Sequence, residues 1–263
     1  MRHFSIIFQL FIATIIIPAR NFAFAAGPAR QYYRLSVYHF KDAGQAKSLD
    51  AYFSGALLPA LHRMHIVSAG VFKALANDTA SDKRIYVLIP FNTAADIQKL
   101  SDDLKKDKIY QAAAREYLNA LYSAPPYTRI ETIILYAFPL APRLQLPELT
   151  SAKNERVYEL RSYESATENV FQNKVKMFND GDEIGLFKRL GFNAVFYSEV
   201  IAGPRMPNLM YMTTFENMAD RESHWKAFSN DPQWKTLTGL PEYQNNVQHA
   251  DIIFLRPTDY SDI

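Results

Sequence analysis

Leu209-Met210-Tyr211-Met212-Thr213-Thr214-Phe215-Glu216-Asn217-Met218-Ala219-Asp220 reads as an apolar strand that runs straight into a helix start. Asn217 offers an N-cap oxygen, and Asp220, three residues on, places an acid at the positive end of that helix. The same device occurs earlier, where a strand from Arg84 to Phe91 precedes Thr93 and Asp96. Phe91 and Phe215 are 124 residues apart, and so are Asp107-Lys108-Ile109-Tyr110 and Asp231-Pro232-Gln233-Trp234. One spacing held through strand, helix and following turn indicates an internal duplication.

Working outward, Tyr33-Arg34-Leu35-Ser36-Val37-Tyr38 alternates as a half-buried strand does, and so does Tyr158-Glu159-Leu160-Arg161-Ser162-Tyr163. Apolar residues then recur at helix spacing, as Leu49, Tyr52, Phe53, Ala56 and Leu57 in one half. In the other half they are Val170, Phe171, Val175 and Phe178, ahead of Ile184, Leu186, Phe187 and Leu190. A strand near residues 67–75 matches one near 193–201, and strands at 130–138 and 251–255 close the halves. Each half thus reads strand, helix, strand, strand, helix, strand, the ferredoxin-like βαββαβ unit.

Between the halves, Pro139, Pro142 and Pro147 interrupt a stretch with no apolar period. The expected organisation is a first domain over 26–140, a linker over 141–154 and a second domain over 155–263. The fold class is α+β. A sheet with helices on one face must hide the other. The tandem repeats are therefore expected to form a within-chain pseudo-dimer with a barrel-like space between their sheets.

The N-terminus has a different character. Met1-Arg2-His3 is basic, residues 4–17 are apolar apart from Ser5, Gln9 and Thr14, and Ala23-Phe24-Ala25 follows Pro18. That run is shorter than the roughly 20 residues needed to cross a bilayer. It has the layout of a cleaved export signal over residues 1–25, with cleavage near Ala25. The expected product is secreted or periplasmic and makes no stable membrane insertion. Losing Arg2 and Arg20 turns 29 basic against 27 acidic residues into 27 against 27. Neutral charge excludes nucleic acid as the expected partner. Cysteine is absent, which removes disulfides and thiolate chemistry. No Walker loop, G-x-G-x-x-G, G-x-S-x-G or H-E-x-x-H occurs.

Several blocks of the second half resemble the NIPSNAP family. They are Tyr158–Tyr163, Leu186-Phe187-Lys188-Arg189-Leu190-Gly191-Phe192, and Phe215 to Glu222 continuing through His224-Trp225, Phe228 and Asp231–Trp234. The resemblance covers roughly residues 155–256. The first half looks like a diverged copy, with Ser101 where Trp225 would fall and Tyr110 for Trp234. The family is similar in fold to the dimeric α/β-barrel proteins. Its mitochondrial members are linked to vesicle traffic and mitochondrial quality control, roles that an exported protein would not share unchanged.

If the more apolar strand faces meet the helices, Arg34, Tyr38, Glu159, Arg161 and Tyr163 line the space between the sheets. Such a set suits an anionic or polar aromatic ligand, and Glu159 is the candidate general base. The competing reading is a structural ion pair of Glu159 with Arg161 or Arg34. His224, beside Trp225, is a further ligand contact, with packing or capping as its alternative. His62 and His65 have a metal-compatible spacing but no third ligand nearby, so no metal is expected. His39 and His249 have no motif around them. Met218, Trp225 and Phe228 form an apolar helical stripe. Asn179–Glu183 reads as a turn and helix cap, because Phe178 and Lys176 stand where a calcium loop needs ligands.

The leading expectation is a NIPSNAP-type barrel protein that binds a small molecule between its two sheets, with no cofactor. The enzyme alternative is a cofactor-independent or haem-linked monooxygenase-like protein, by fold analogy. The third is a protein-interaction module. Homo-oligomers are compatible with all three.

Overall fold

The computed structural model describes residues 28–263. The export signal expected over residues 1–25 lies outside the described residues. Strand β1 (Tyr32–Phe40) leads into α1 (Ala43–Tyr52), which continues through a π-turn at Phe53–Leu57 into α2 (Leu58–Arg63). Then come β2 (Gly70–Ala74), β3 (Lys83–Phe91), α3 (Ala94–Lys106), α4 (Lys108–Ala113), α5 (Arg115–Leu118) and β4 (Arg129–Ala137). After residues 138–156, which hold no helix or strand, comes a similar order. It runs β5 (Val157–Glu164), α6 (Glu168–Asn179), α7 (Glu183–Arg189), β6 (Phe196–Ala202), β7 (Asn208–Phe215), α8 (Met218–Asn230), α9 (Pro232–Gly239) and β8 (His249–Pro257).

The helix starts fall where the capping residues put them. Thr93 and Asp96 form a capping box at α3. Asn217 accepts a hydrogen bond from the Asp220 amide at α8. Asp107 and Asp231, 124 residues apart, cap α4 and α9. In the turn at residues 179–183, Asp180 ends α6 and Asp182, with φ of 59°, precedes α7.

All eight strands form one closed barrel in the order β1-β3-β2-β8-β5-β7-β6-β4. Each half contributes four neighbouring strands, and antiparallel β2–β8 and β4–β6 pairs seal them together. The registers coincide: Tyr32 pairs with Phe91 and Val157 with Phe215.

The barrel interior corrects the expected choice of faces. It is filled by Tyr33, Leu35, Val37, Tyr86, Leu88, Tyr158, Leu160, Met210 and Met212, packed with Phe72, Phe196 and Leu255. These come from both halves, so the halves share one apolar interior, as an eight-stranded barrel of this size requires. The space between the sheets is therefore occupied by side chains of the barrel itself. Arg34, Tyr38, Glu159, Arg161 and Tyr163 belong to the opposite alternate and lie outside the barrel wall, beneath the helices. The reason is access to water. A closed interior is shut on every side, so it takes the more apolar alternate, whereas the layer under the helices opens at the gaps between them.

Candidate functional site between sheet and helices

The five strand residues expected to share one space form two separate clusters. Strands β1 and β5 occupy opposite positions in the ring of eight, so their outward faces point away from each other. Tyr38 joins the apolar layer under the first-half helices with Tyr52 and Tyr110. Burial pushes its hydroxyl up to about 12. Burial lowers the pKa of the nearby Arg34 guanidinium, whose Nε has no hydrogen-bond partner among the described residues. Tyr117 stacks on Tyr52 with ring centroids 3.6 Å apart, and the Tyr52 and Tyr110 hydroxyls are 2.9 Å apart. Tyrosine rings thus fill the space under the first-half helices.

Under the second-half helices a cavity of about 470 Å³ remains. Its strand wall is Arg161, Tyr163 and Tyr211. Its helix wall includes Lys174 from α6, Glu183 from α7, Trp225 from α8 and Trp234 from α9. The Glu159 carboxylate, fully buried, anchors this wall from behind. It accepts from Arg161 Nε, from Arg221 Nε at 2.7 Å and Nη2 at 3.1 Å, and from Trp225 Nε1 at 2.9 Å. Arg221 and Trp225 stand one helical turn apart on α8, which places both over β5. Four donors fill the acceptor sites of one carboxylate. This geometry is that of a structural ion pair, made with Arg161 and with Arg221 rather than with Arg34. Glu159 has no acceptor position left for a substrate proton.

Arg161 is held on three sides. Its guanidinium carbon lies 3.6 Å from the Trp225 ring centroid, Nε bonds Glu159, and Nη1 donates to the Tyr163 hydroxyl at 2.9 Å. Tyr163 in turn lies 2.7 Å from the Tyr211 hydroxyl, which burial pushes well above the ordinary phenol value. Arg161 Nη2 makes no hydrogen bond among the described residues, although Arg161 lines the cavity.

Lys174 and Glu183 are the site residues that the sequence reading passed over. Lys174 Nζ donates to Glu183 Oε2 at 2.8 Å, with both side chains almost entirely buried. The ammonium also lies 4.6 Å from the Phe178 ring centroid and 5.8 Å from those of Tyr163 and Trp234. Burial pushes the Glu183 carboxyl up, and the Lys174 charge holds it back. The available signal was Lys174 itself, a cation on the buried α6 stripe of Phe171, Val175 and Phe178.

The histidines stay away from the cavity. His224 Nδ1 is 2.9 Å from the Asp220 carbonyl oxygen, and its ring packs on Phe192 and Phe215. It performs the packing role that was its alternative. Met218, placed in the same helical stripe as Trp225, is exposed instead. His62 hydrogen-bonds Asp262. Glu164, His249 and Asp251 hold ligand atoms within 4.8 Å of one another, but the Arg205 guanidinium already contacts both acids.

Among solved structures, the fold is similar to two candidate monooxygenases. One, from Lactobacillus acidophilus, is 12% identical, with a TM-score of 0.54 over 87% of this chain and 94% of that one. The other, from Fusobacterium nucleatum, is 8% identical, with a TM-score of 0.55 over 88% and 93%. At such identities the likeness is one of fold. A NIPSNAP family protein of unknown function from Agrobacterium tumefaciens is 19% identical, covering 41% of this chain and 93% of its own, with a TM-score of 0.36. No curated protein matches the sequence. The NIPSNAP family model matches residues 158–262, the stretch that builds the whole cavity from Arg161 to Ala250. The second half of this closed barrel therefore matches the NIPSNAP family.

Proposed function

We propose that the chain binds a small aromatic anion in the cavity between the second-half strands and helices. The observation that carries this reading is the lining. Arg161 offers an unengaged Nη2, Lys174 adds a second cation, and Trp225 and Trp234 offer ring faces. The volume lies in the range of small-molecule sites. Two buried cations, Arg161 and Lys174, and the partly buried Arg221 face two buried carboxylates, Glu159 and Glu183. The remaining acid beside them, Glu222, is 64% exposed and compensates little through water. A monoanion would balance that layer.

The chain has two tryptophans and both line the cavity, so intrinsic fluorescence reports on it directly. Titration with an aromatic carboxylate should change tryptophan emission with saturation, and Arg161→Lys should weaken the effect about tenfold. Emission indifferent to every aromatic anion, amide and alcohol tried would sink the proposal.

A second reading is an enzyme that removes a proton from such a ligand, as a cofactor-independent oxygenase would. It is favoured by Glu183, a buried cavity-lining carboxyl pushed up by burial. The monooxygenase descriptions of the two similar folds agree with it. The haem-linked form has less support, because no histidine lines the cavity. Oxygen uptake with a bound phenol, lost in Glu183→Gln, tests this reading.

The halves are tandem ferredoxin-like repeats, a reading supported by their similar order of strands and helices and coincident registers. The product is exported, as the layout of residues 1–25 supports; N-terminal sequencing of protein from a bacterial periplasm should begin near Ala26.

A further inference from the structure

The strap between β4 and β5 covers a second cavity. Although residues 138–156 contain no helix or strand, hydrogen bonds fix them in place. The Gln31 amide donates to the Pro142 carbonyl at 2.8 Å, the Leu144 amide to Gln31 Oε1 at 2.9 Å, and the Gln145 amide to the Val195 carbonyl at 2.9 Å. Beneath the strap lies a space of about 420 Å³, whose floor includes Phe187, Phe192, Val195 and Phe196. Its roof is also apolar, and two of its leucines, Leu140 and Leu146, are 60% and 61% exposed. Large apolar side chains held out to water by an ordered strap are the surface expected around a ligand entrance.

Charge at the rim narrows the ligand. The charged lining residues are Arg143, Lys188 and Glu148, all exposed. Among the described residues, neither the Arg143 nor the Lys188 side chain makes an ion pair or a hydrogen bond. Some exposed cations of this chain are paired, as Arg189 with Asp231 and Lys99 with Asp103 illustrate. Two unengaged cations against one acid leave one positive charge at the edge of an apolar space.

We propose that this cavity binds an amphipathic monocarboxylate of the medium-chain fatty acid type. The acyl chain lies beneath the strap against Leu140 and Leu146, and the carboxylate meets Arg143 and Lys188. The site is separate from the aromatic-anion cavity and does not depend on it, although Phe187 forms part of both walls. A free acid, rather than an acyl chain still held in a bilayer, fits a space roofed by the strap.

Calorimetric titration of the purified chain with octanoate and with octan-1-ol tests this. Octanoate should bind one to one, at least tenfold tighter than the alcohol. The Arg143→Ala/Lys188→Ala variant should lose that advantage while still binding the alcohol. Both residues are exposed and unengaged, so folding is untouched. Ala194→Leu, which fills the floor, should weaken both ligands. Octanoate that fails to bind at millimolar concentration overturns the proposal, as does binding unchanged in both variants. Binding to phosphatidylglycerol vesicles without binding of free octanoate overturns it too.

Discussion

Arg161 lies face-on over Trp225, 3.6 Å from the ring centroid, while the indole N–H of that same tryptophan donates to Glu159. One aromatic ring thus supports the guanidinium from below and secures the carboxylate that holds it. The three residues form a closed set, so removing any one leaves the others wrongly placed. Replacing Glu159 by Gln leaves Arg161 and Arg221 without their buried counter-charge. Breaking such a buried pair costs about 3–5 kcal/mol. Chemical denaturation of Glu159→Gln should show a loss of that size. A loss under 1 kcal/mol would mean that the cluster is more hydrated than its burial indicates.

The Lys174–Glu183 pair lends itself to a double-mutant cycle. Lys174→Met or Glu183→Leu alone strands a buried charge and should cost about 3 kcal/mol or more. The double variant should recover most of that loss, since a well-packed apolar pair can replace a buried ion pair. Additive losses in the cycle would contradict the assignment of these two residues as mutual partners.

Glu183 also gives the protein a pH dependence with a defined sign. Burial raises its pKa in the folded chain above the ordinary 4.5. Its contribution to stability is therefore full below about pH 4.5 and is lost as pH rises through the raised value. Glu183→Gln should flatten that slope. Unfolding free energies of the two proteins, compared across pH 4 to 8, measure the difference.

Glu216 has the opposite sign. Hydrogen bonds from Ser151 and Thr150 hold its carboxyl down at about 2. Its contribution is present above the ordinary 4.5 and is lost as pH falls toward 2. Because the carboxylate ties down the end of the strap, the Thr150 and Ser151 amides should exchange faster in that window. Equal exchange rates at pH 5 and pH 2.5, after correction for intrinsic rates, would refute the tether.

The Thr93 capping box is the simplest stability test. Thr93→Ala should cost about 1 kcal/mol, as cap removals do. Asn217→Ala should cost a similar amount at α8. Thermal unfolding of both variants reads this directly.

Architecture was legible in the residues because it is written in local, repeating signals. Thr93 and Asp96, Asn217 and Asp220, and Asp107 and Asp231 each announce a helix start on their own. The facing of the strands was not legible in that way. The Arg34 and Glu159 alternates look suited to a wet interior if each sheet is taken alone. Only closure of the ring at β2–β8 and β4–β6, a relation between distant segments, decides which alternate is shut from water. Glu159 and Arg161 were readable as partners, two apart on one strand face. Arg221 and Lys174 were not, because surface helices are rich in such residues and only tertiary packing shows which ones are buried.

The covalent joining of the two halves has one last consequence. In a ring closed by two identical subunits, any substitution appears twice, so a charge gained on one side is gained on the other. Here the strand position that holds Arg34 in β1 holds Glu159 in β5, with their partners on β3 and β7 at matching register, Ile89 and Thr213. A single chain can spend one side on tyrosine packing and keep the other hollow. Such division of labour is denied to a symmetric pair, and it makes the first half a scaffold against which the second is free to specialise.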